Sequence, residues 1–489
     1  MALTDAVHRR RTAGSPRPAV IGGELVTTDD VLPVIDPATA EELATTVRGD
    51  AALVDQAISA ARAAQPAWSR RPAAERSGLL LALAALIRRN HGELAALESQ
   101  DTGKPMAQAR ADVTVAARYF EFYAHTLEAF FGDSLPPNAG FLAWTRHVPF
   151  GVTGHIIPWN YPLQIGCRSI APALAVGNCA IVKPAEDAPL SVIRVAELAL
   201  EAGLPGGAPN VVPGLGAEAG DALARHDGID HLSFTGSPAI GSAVAKAAAE
   251  NVKPTALELG GKSPNIVFAD ADLEAALPVI AKSMLQNAGQ TCSAGSRLLV
   301  HESVADRVID GLAKFLSAVT IGRGLDDPDL GPLISRKQHD HVTAMVERAE
   351  DGGLTRVRTS RDGAVPPQGF FFEPTIFRDI PPEAEIAREE VFGPVVAATT
   401  FTTQEEAIAL ANGTDYGLIA AVWTNDLNTA HTMAEEVVAG QVYLNTYGAG
   451  GGVEYAFGGF RKSGYGREKG YEALSEFTQT KTVILKVDS

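Results

Sequence analysis

The sequence predicts an α/β protein built on parallel sheet, and two observations carry that prediction. From residue 151 onward, apolar strand-like segments such as 180–182 and 231–234 alternate with helix-like segments such as 191–202 and 240–249. A second alternating block runs from about 265 to about 444. Alternation of this kind is typical of strand–helix–strand units, which place their strands side by side in a parallel sheet.

The remaining segments predict further elements. A hairpin is expected around Gly22 and Gly23, where two short apolar segments flank the glycine pair. From about 51 to 131 the chain is rich in alanine, with leucine and isoleucine at three- and four-residue spacing, which predicts helices. Residues 141–148 alternate in polarity and predict a strand, and residues 480–485 predict another. A strand so close to the C-terminus needs a neighbouring sheet edge, which a second subunit can supply.

The composition excludes several classes of protein. Apolar residues make up 46% and charged residues 20% of the 489 residues, as in ordinary soluble globular proteins. The 41 basic and 58 acidic residues give a net charge of −17, which argues against nucleic acid as a partner. The apolar run 79–87 is short compared with the roughly 20 residues of a membrane span, so no membrane partner is expected.

Cysteine usage and the N-terminus predict a cytoplasmic location. The three cysteines, Cys167, Cys179 and Cys292, form no CxxC pattern, and their number is odd. We therefore expect reduced thiols, with neither a disulfide framework nor a metal site. No apolar signal segment follows Met1.

Three short stretches contain residues suited to chemistry. Cys292 lies among glycines and small polar residues after a helix-like segment, where a thiol is accessible; the alternative is a buried structural thiol. Glu258 lies between leucines just before Gly260 and Gly261, where apolar neighbours raise the pKa of a general base; the alternative is a solvated turn carboxylate. Asn160 lies between two prolines that fix its amide as a donor to an oxyanion; the alternative is a structural turn residue.

The stretches 157–162, 257–265 and 287–297 closely resemble the aldehyde dehydrogenase superfamily of NAD(P)-dependent, cysteine-based enzymes. The resemblance extends over nearly the whole chain. It includes the motifs Ile35-Asp36-Pro37-Ala38-Thr39, Val182-Lys183-Pro184, Phe234-Thr235-Gly236-Ser237, Gly331-Pro332-Leu333, Glu389-Glu390-Val391-Phe392-Gly393-Pro394, Phe457-Gly458-Gly459 and Ser463-Gly464-Tyr465-Gly466-Arg467-Glu468. So many motifs in one order are highly specific to that superfamily.

The resemblance implies a division of the chain and an assembly. It implies two Rossmann-like parallel α/β domains and a small β element for bridging or oligomerisation. We expect the dinucleotide-binding domain in residues 1–129 and 151–257, the catalytic domain in 258–465, and the bridging element in 130–150 and 466–489. Because members of the superfamily are dimers or tetramers, a homodimer or homotetramer is expected.

The resemblance also implies a role for each of the three candidate residues. Cys292 matches the nucleophile that attacks an aldehyde to give a thiohemiacetal, whose oxyanion the Asn160 side chain and the Cys292 backbone N–H would hold. Loss of a hydride to NAD gives a thioester, and Glu258 matches the base that activates water to hydrolyse it to a carboxylic acid. The alternatives are a CoA-acylating enzyme, which generally lacks that base, and a non-catalytic protein. The presence of all three residues disfavours both.

The cofactor positions follow from the same resemblance. Lys183 and Glu186 match positions that meet the adenosine ribose, and a carboxylate there repels a 2′-phosphate. NAD is therefore preferred, with NADP also possible. The other implied cofactor-binding residues are Trp159, Gly236, Ser237, Glu390 and Phe392.

The substrate tunnel is less well defined by the sequence. Tyr161 and Phe457 match positions that line it, and aromatic walls suit a hydrophobic or aromatic aldehyde; plain packing is the alternative. Many members carry a tunnel lysine at a place that falls on Ser169 here. The neighbouring Arg168 either binds the carboxylate of a semialdehyde or pairs at the surface, and we favour the surface pair.

Overall fold

The computed structural model of the chain describes residues 16–136, 138–357, 359, 365–448 and 452–487. The first residues after Met1, on which the absence of a signal segment was judged, lie outside these ranges. The strands of the described residues are β1 (Ala19–Ile21), β2 (Glu24–Val26), β3 (Val31–Asp36), β4 (Glu41–Val47), β5 (Phe141–Pro149), β6 (Val152–Ile156), β7 (Cys179–Lys183), β8 (Pro209–Val211), β9 (His231–Thr235), β10 (Thr255–Glu258), β11 (Pro264–Val267), β12 (Arg297–His301), β13 (Thr355–Val357), β14 (Thr375–Arg378), β15 (Val395–Phe401), β16 (Ile419–Trp423), β17 (Gln441–Leu444), β18 (Gly464–Tyr465) and β19 (Thr478–Lys486).

The α-helices surround these strands. They are α1 (Ala51–Ser69), α2 (Ala73–Arg89), α3 (His91–Thr102), α4 (Met106–Leu127), α5 (Pro162–Val176), α6 (Leu190–Glu201), α7 (Asp221–Arg225), α8 (Pro238–Ala249), α9 (Leu273–Leu285), α10 (Ala305–Ser317), α11 (Arg336–Asp351), α12 (Glu385–Arg388), α13 (Gln404–Ala411), α14 (Leu427–Glu436) and α15 (Glu472–Glu476). The predicted helical region is thus a run of four helices that begins at Ala51 and ends at Leu127.

The first sheet has the order β18-β10-β9-β6-β7-β8-β1-β2. Its central strands β10, β9, β6, β7 and β8 all pair in parallel. Antiparallel pairs occur only toward its two edges, where β18 joins β10 and the predicted hairpin of β1 and β2 joins β8. The hairpin turns through Gly22 and Gly23, whose φ angles of 63° and 92° favour glycine.

The second sheet has the order β13-β14-β15-β12-β11-β16-β17 and is parallel except at β13. Both sheets therefore have the βαβ connectivity that the alternating sequence predicts, and the predicted α/β class is confirmed. Strand β10 of the first sheet is followed in sequence by β11 of the second, so the chain passes from one sheet to the other through residues 259–263, and it returns to the first sheet at β18.

Two small sheets lie apart from these. Strands β3 and β4 form one, and β5 and β19 form the other over the register from Thr478↔Pro149 to Lys486↔Phe141. The predicted C-terminal strand therefore finds its partner in the same chain. Its side chains Ile484 and Leu485 nevertheless remain 68% and 49% exposed.

The core of the first sheet explains why its helices are so apolar. Helix α5 lies against α4 and β7, and every residue of α5 except Gln164 is buried. Helix α4 contributes the fully buried side chains Tyr119, Phe120 and Tyr123. Because Asn160 and Tyr161 directly precede α5, this packing fixes the start of the helix and the segment in front of it. In the described part of the chain, no helix combines the length and the apolar character needed to cross a membrane.

Candidate active site

The loop that carries Cys292 follows a tight turn after α9. Asn287 adopts a left-handed φ of 51°, and Gln290 Nε2 donates to the Asn287 carbonyl oxygen at 3.0 Å. Gln290 Oε1 accepts from the backbone N–H of Ile334 at 2.9 Å. The turn is therefore held by side-chain hydrogen bonds immediately before it reaches Cys292.

Cys292 is half-buried and forms no disulfide. Burial raises the pKa of its thiol to about 12, while the Arg168 guanidinium acts in the opposite direction. The loop after β10 passes so close that a Cβ on Gly261 would lie 2.4 Å from the Cys292 carbonyl oxygen, so only glycine fits there. The thiol is the dominant form at neutral pH, and its reaction needs a base that takes the proton.

Glu258 is the last residue of β10 and is 3% exposed. Neither oxygen of its carboxyl has a hydrogen-bond partner among the described residues. Burial, followed by the charge of Glu468, raises the pKa of this carboxyl well above its usual value. The charge of Glu258 also acts on the Cys292 thiol, which brings the two groups into one site. Glu258 is therefore not a solvated turn carboxylate, and a buried carboxyl with a raised pKa has the properties that a general base needs.

Asn160 joins the first sheet to the Cys292 loop. Its Nδ2 donates to the backbone carbonyl of Gln290 at 3.0 Å, two residues before Cys292. Its own carbonyl accepts from Asn287 Nδ2 at 2.8 Å. The amide is 3% exposed, and its second N–H is the one available to an oxyanion formed at Cys292.

The two predicted tunnel residues lie beside cations. The Tyr161 ring has Lys104 Nζ at 4.2 Å from its centroid. The Phe457 ring has Arg168 Cζ at 5.3 Å and Lys469 Nζ at 5.0 Å. Phe457 also packs in the small apolar cluster against which Cys292 lies. The Tyr161 and Phe457 rings are therefore each in contact with the side chain of a lysine or an arginine. The presence of aromatic residues at these two positions does not by itself predict those cations.

The expectation that Arg168 pairs at the surface is wrong. Arg168 is 4% exposed, and its Nε donates to the carboxylate of Glu468 inside the protein. Its Nη2 lies 3.4 Å from the hydroxyl of Thr235. Because nearly all of α5 is buried between α4 and the first sheet, no surface position exists at residue 168.

Ser169, where many relatives are expected to carry a lysine, is fully buried. Its hydroxyl lies 2.6 Å from Nδ1 of His155 on β6 and donates to Ser233 on β9 at 3.1 Å. Ser233 in turn donates to Glu468 at 2.9 Å. The short serine side chain is thus part of a polar network on the first sheet, and the cation near the tunnel is supplied by its neighbour in the sequence.

The residues predicted to meet the adenosine ribose form an ion pair directly after β7. Lys183 Nζ donates to Glu186 Oε2 at 2.9 Å. Although burial opposes it, the pairing lowers the pKa of Glu186, so its carboxylate is charged at neutral pH. A charged carboxylate and a lysine at this point match the hydroxyl groups of a ribose in hydrogen-bonding chemistry.

The other predicted cofactor residues lie at two further places. Ser237 is the N-cap of α8 directly after Gly236, and its side chain accepts from the Ile240 N–H, so the positive end of the α8 dipole is what this position offers to a phosphate. Glu390 accepts from the Gly261 N–H at 2.9 Å, and burial raises the pKa of Glu390 to about 7. The rings of Trp159 and Phe392 meet edge to face with centroids 5.2 Å apart. This set of donors and acceptors fits a dinucleotide.

Three residues near the site were not recognised as functional from the sequence. Gln290 holds the turn before the nucleophile, Glu468 neutralises Arg168, and Lys469 lies on Phe457. Glu468 is the last residue of one of the motifs that resemble the family, but the sequence does not show that it pairs with Arg168. Lys469 is an ordinary lysine beside a glycine in the sequence, and only the tertiary structure shows what it contacts.

The chain matches the aldehyde dehydrogenase family over residues 26–483. It is 42% identical over 467 residues to the NADP/NAD-dependent aldehyde dehydrogenase PuuC of Escherichia coli, covering 94% of this chain and 93% of that protein. It is 41% identical to human retinal dehydrogenase 2 over 94% of this chain and 89% of that protein. The structure superposes with a TM-score of 0.94 on the NAD+ complex of an aldehyde dehydrogenase from Bacillus cereus, which is 39% identical, with 97% of each chain covered.

The fold and these matches define an oxidoreductase that acts on aldehydes with a nicotinamide cofactor. The chain belongs to the aldehyde dehydrogenase family. The predicted family, enzyme class and use of NAD, with NADP possible, are confirmed.

Proposed function

We propose that this enzyme oxidises an aldehyde to a carboxylic acid, with Cys292 as nucleophile, Asn160 as oxyanion donor and Glu258 as the base for hydrolysis. The single observation that carries the proposal is the convergence of the three residues from separate parts of the chain. The Asn160 amide is bonded to the Cys292 loop, and the Glu258 carboxyl is buried close enough to alter the pKa of the Cys292 thiol.

The first half of the reaction acylates the enzyme. Cys292 gives up its proton to solvent water, the resulting thiolate sulfur forms a bond to the aldehyde carbon, and the electron pair of the broken C=O π bond places the negative charge on the carbonyl oxygen. The Asn160 amide and the Cys292 backbone N–H stabilise that charge because they are already oriented when it forms. NAD, when bound, supplies the hydride acceptor that converts this adduct to a thioester.

The second half releases the acid. Glu258 takes a proton from water, the water oxygen attacks the thioester carbon, and the carbon–sulfur bond breaks. The thiolate of Cys292 leaves readily, which favours sulfur over oxygen as the nucleophile. A carboxyl whose pKa is raised well above its usual value suits this proton transfer.

The residues that would hold the cofactor are Trp159, Lys183, Glu186, Gly236, Ser237, Glu390 and Phe392, and Tyr161 and Phe457 would line the substrate tunnel. The charged Glu186 favours NAD over NADP, because a carboxylate accepts a ribose hydroxyl but repels a 2′-phosphate.

A wider set of proposals concerns the architecture and setting of the protein. The passage from β10 to β11 supports a boundary between a dinucleotide-binding domain (1–129 and 151–257) and a catalytic domain (258–465). The pairing of β5 with β19 supports a bridging element from 130–150 and 466–489, whose exposed apolar side chains favour a homodimer or homotetramer. All three cysteines are free, which favours a reducing compartment such as the cytoplasm.

The test follows NADH formation with NAD and a panel of aliphatic, aromatic, amino- and carboxy-aldehydes, without CoA. We expect turnover with release of the free acid, and its loss in Cys292→Ala. The matched control is Cys167→Ala, because Cys167 is a free cysteine buried within α5 that has no proposed part in the chemistry. Turnover that requires CoA, or persists in Cys292→Ala, would overturn the proposal.

A further inference from the structure

We propose that Lys469 binds a carboxylate carried by the substrate, so that this enzyme prefers aldehydes with a second, anionic end. The inference rests on the proposed role of Cys292, because it concerns the same site. In this role Lys469 determines which aldehyde is preferred. The chemical steps are carried out by Cys292, Asn160 and Glu258.

The position of Lys469 is fixed by the backbone. Residues Phe457 and Glu468 exchange two backbone hydrogen bonds, of 2.6 and 2.8 Å. Lys469 follows directly with a left-handed φ of 62°, an uncommon conformation for a lysine. Its Nζ lies 5.0 Å from the centre of the Phe457 ring, within the range of a cation–π contact. The ammonium group is therefore held on the aromatic side chain that packs near Cys292.

Arg168 and Lys469 are the cations that act on the Cys292 thiol, and of these two Lys469 is the one without an ion pair among the described residues. The Arg168 guanidinium is neutralised by its ion pair with Glu468. Burial, followed by the charge of Glu468, raises the pKa of Glu258 well above its usual value, so its carboxyl is a weaker counter-charge than an ordinary glutamate. Among the described residues, Lys469 makes no ion pair and no side-chain hydrogen bond. Burial lowers its pKa to about 8, so the ammonium remains the major form at neutral pH.

A partly buried cation that makes no ion pair is costly, and an anion that enters the site and contacts it would lower that cost. An aldehyde whose other end is a carboxylate supplies such an anion, and it places its reactive carbon and its charge in the same tunnel. Attraction between unit charges at close range in a partly buried site is large enough to alter selectivity.

The alternative role for Lys469 is in the chemistry itself, because its charge also acts to lower the pKa of the Cys292 thiol. The structure favours the substrate. Burial keeps the pKa of the Cys292 thiol at about 12 despite both nearby cations, so Lys469 does not make the thiolate the resting form. Its remaining electrostatic attraction is available to a ligand.

The first experiment compares matched substrates that differ only in the distal carboxylate: hexanal with 6-oxohexanoate, and butanal with 4-oxobutanoate. We expect the wild-type enzyme to have the higher kcat/KM for the carboxylated member of at least one pair. In Lys469→Met the ratio of kcat/KM values should fall by about tenfold or more, and Lys469→Arg should retain most of it. The control is Lys314→Met, an exposed lysine on α10, which should keep the wild-type ratio.

The second experiment needs no turnover. Cys292 of the cofactor-free enzyme is alkylated with iodoacetate and with iodoacetamide, which differ by one negative charge. We expect the ratio of the two rates to fall several-fold in Lys469→Met. An equal loss with both reagents would assign Lys469 to the thiolate and overturn the inference.

The two experiments separate the proposals. A wild-type enzyme that oxidises hexanal without preferring any carboxylated aldehyde would refute the role of Lys469 and leave the proposed function intact. An enzyme that oxidises none of the aldehydes would refute the proposed function, and the alkylation ratio would still decide whether Lys469 attracts an anion to Cys292.

Discussion

Arg168 and Glu468 are 300 residues apart in the sequence and form an ion pair inside the protein. Glu468 also accepts a hydrogen bond from Ser233 on β9 at 2.9 Å, so its carboxylate ties the segment after β18 to α5 and to the first sheet. The pair holds Lys469 and Phe457 in place, because Phe457 is bonded to the backbone of Glu468.

Breaking this pair from one side is expected to destabilise the fold. Arg168→Met leaves Glu468 buried without its cation, so the free energy of unfolding should fall by about 3–5 kcal/mol, measured by urea denaturation. Removing both charges in Arg168→Met/Glu468→Leu should recover much of that loss. A single variant that loses under about 1 kcal/mol would show that the pair is open to solvent.

Substitution of Glu258 is expected to separate the two halves of the reaction. In Glu258→Gln the first turnover should survive as a burst of NADH, because the amide cannot take a proton from water but the nucleophile is intact. Steady turnover should then slow by roughly 10²–10⁴-fold. Stopped-flow absorbance measures both phases, and an equal loss of burst and turnover would assign Glu258 to the acylation step.

The same carboxyl sets an expected pH dependence. The base works only when it is deprotonated, and burial raises the pKa of Glu258 well above the usual value. Hydrolysis-limited turnover should therefore rise with pH through an apparent pKa higher than that of an ordinary glutamate. For Glu258→Gln we expect the rate to stay constant with pH over the range in which the wild-type rate rises. A wild-type rate that does not change with pH would contradict the role of Glu258 as the base.

Alkylation of Cys292 should depend strongly on pH in the cofactor-free enzyme. Because burial raises the pKa of the thiol to about 12, the thiolate is a minor form, and the rate with iodoacetamide should rise about tenfold per pH unit between roughly pH 6 and 9. The other cysteines are buried and should not react, so Cys292→Ala gives the background rate. A plateau near neutral pH would mean that the nearby cations hold a thiolate.

Cofactor choice is expected to depend on Glu186. Its charged carboxylate lies next to Lys183, and Glu186→Ser removes the repulsion of a 2′-phosphate while it keeps Lys183 as a partner for that phosphate. The ratio of kcat/KM for NADP to that for NAD should rise by about tenfold or more. Asp306→Ser, which removes an exposed carboxylate paired with Arg378 at the second sheet, is the control and should leave the ratio unchanged. A wild-type enzyme at least as active with NADP would overturn the preference.

Much of the fold could be predicted from the sequence, because it rests on local patterns. The parallel sheets follow from alternating apolar segments, and the hairpin at Gly22 and Gly23 follows from a glycine pair that tolerates positive φ. Cys292, Glu258 and Asn160 were named because each lies in a short stretch of unusual composition. These features are visible without knowledge of distant contacts.

The charges around the site could not be predicted in this way. Arg168 was expected at the surface because an arginine on a helix is usually exposed, and its partner Glu468 lies on a segment that only tertiary folding brings near. Ser169 is buried and hydrogen-bonds with His155 in a polar network. The serine that stands in place of the expected lysine therefore has a structural role, which the sequence alone does not reveal. Lys469 is recognised as a residue of the site only because the structure places its ammonium group on the Phe457 ring.

The exposed side chains of β19 lead to the final prediction, which concerns assembly. Strands β5 and β19 form a two-stranded sheet, and Ile484 and Leu485 are 68% and 49% exposed on successive positions of β19. A two-stranded sheet is marginal by itself in water, and exposed apolar residues on such a strand are typical of an interface. We expect a dimer or tetramer by light scattering, and a smaller assembly for Ile484→Asp/Leu485→Asp. The matched control is Leu427→Asp, an 81% exposed apolar residue at the start of α14, which should keep the wild-type mass. A wild-type monomer, or a double variant with unchanged mass, would contradict this role of the strand.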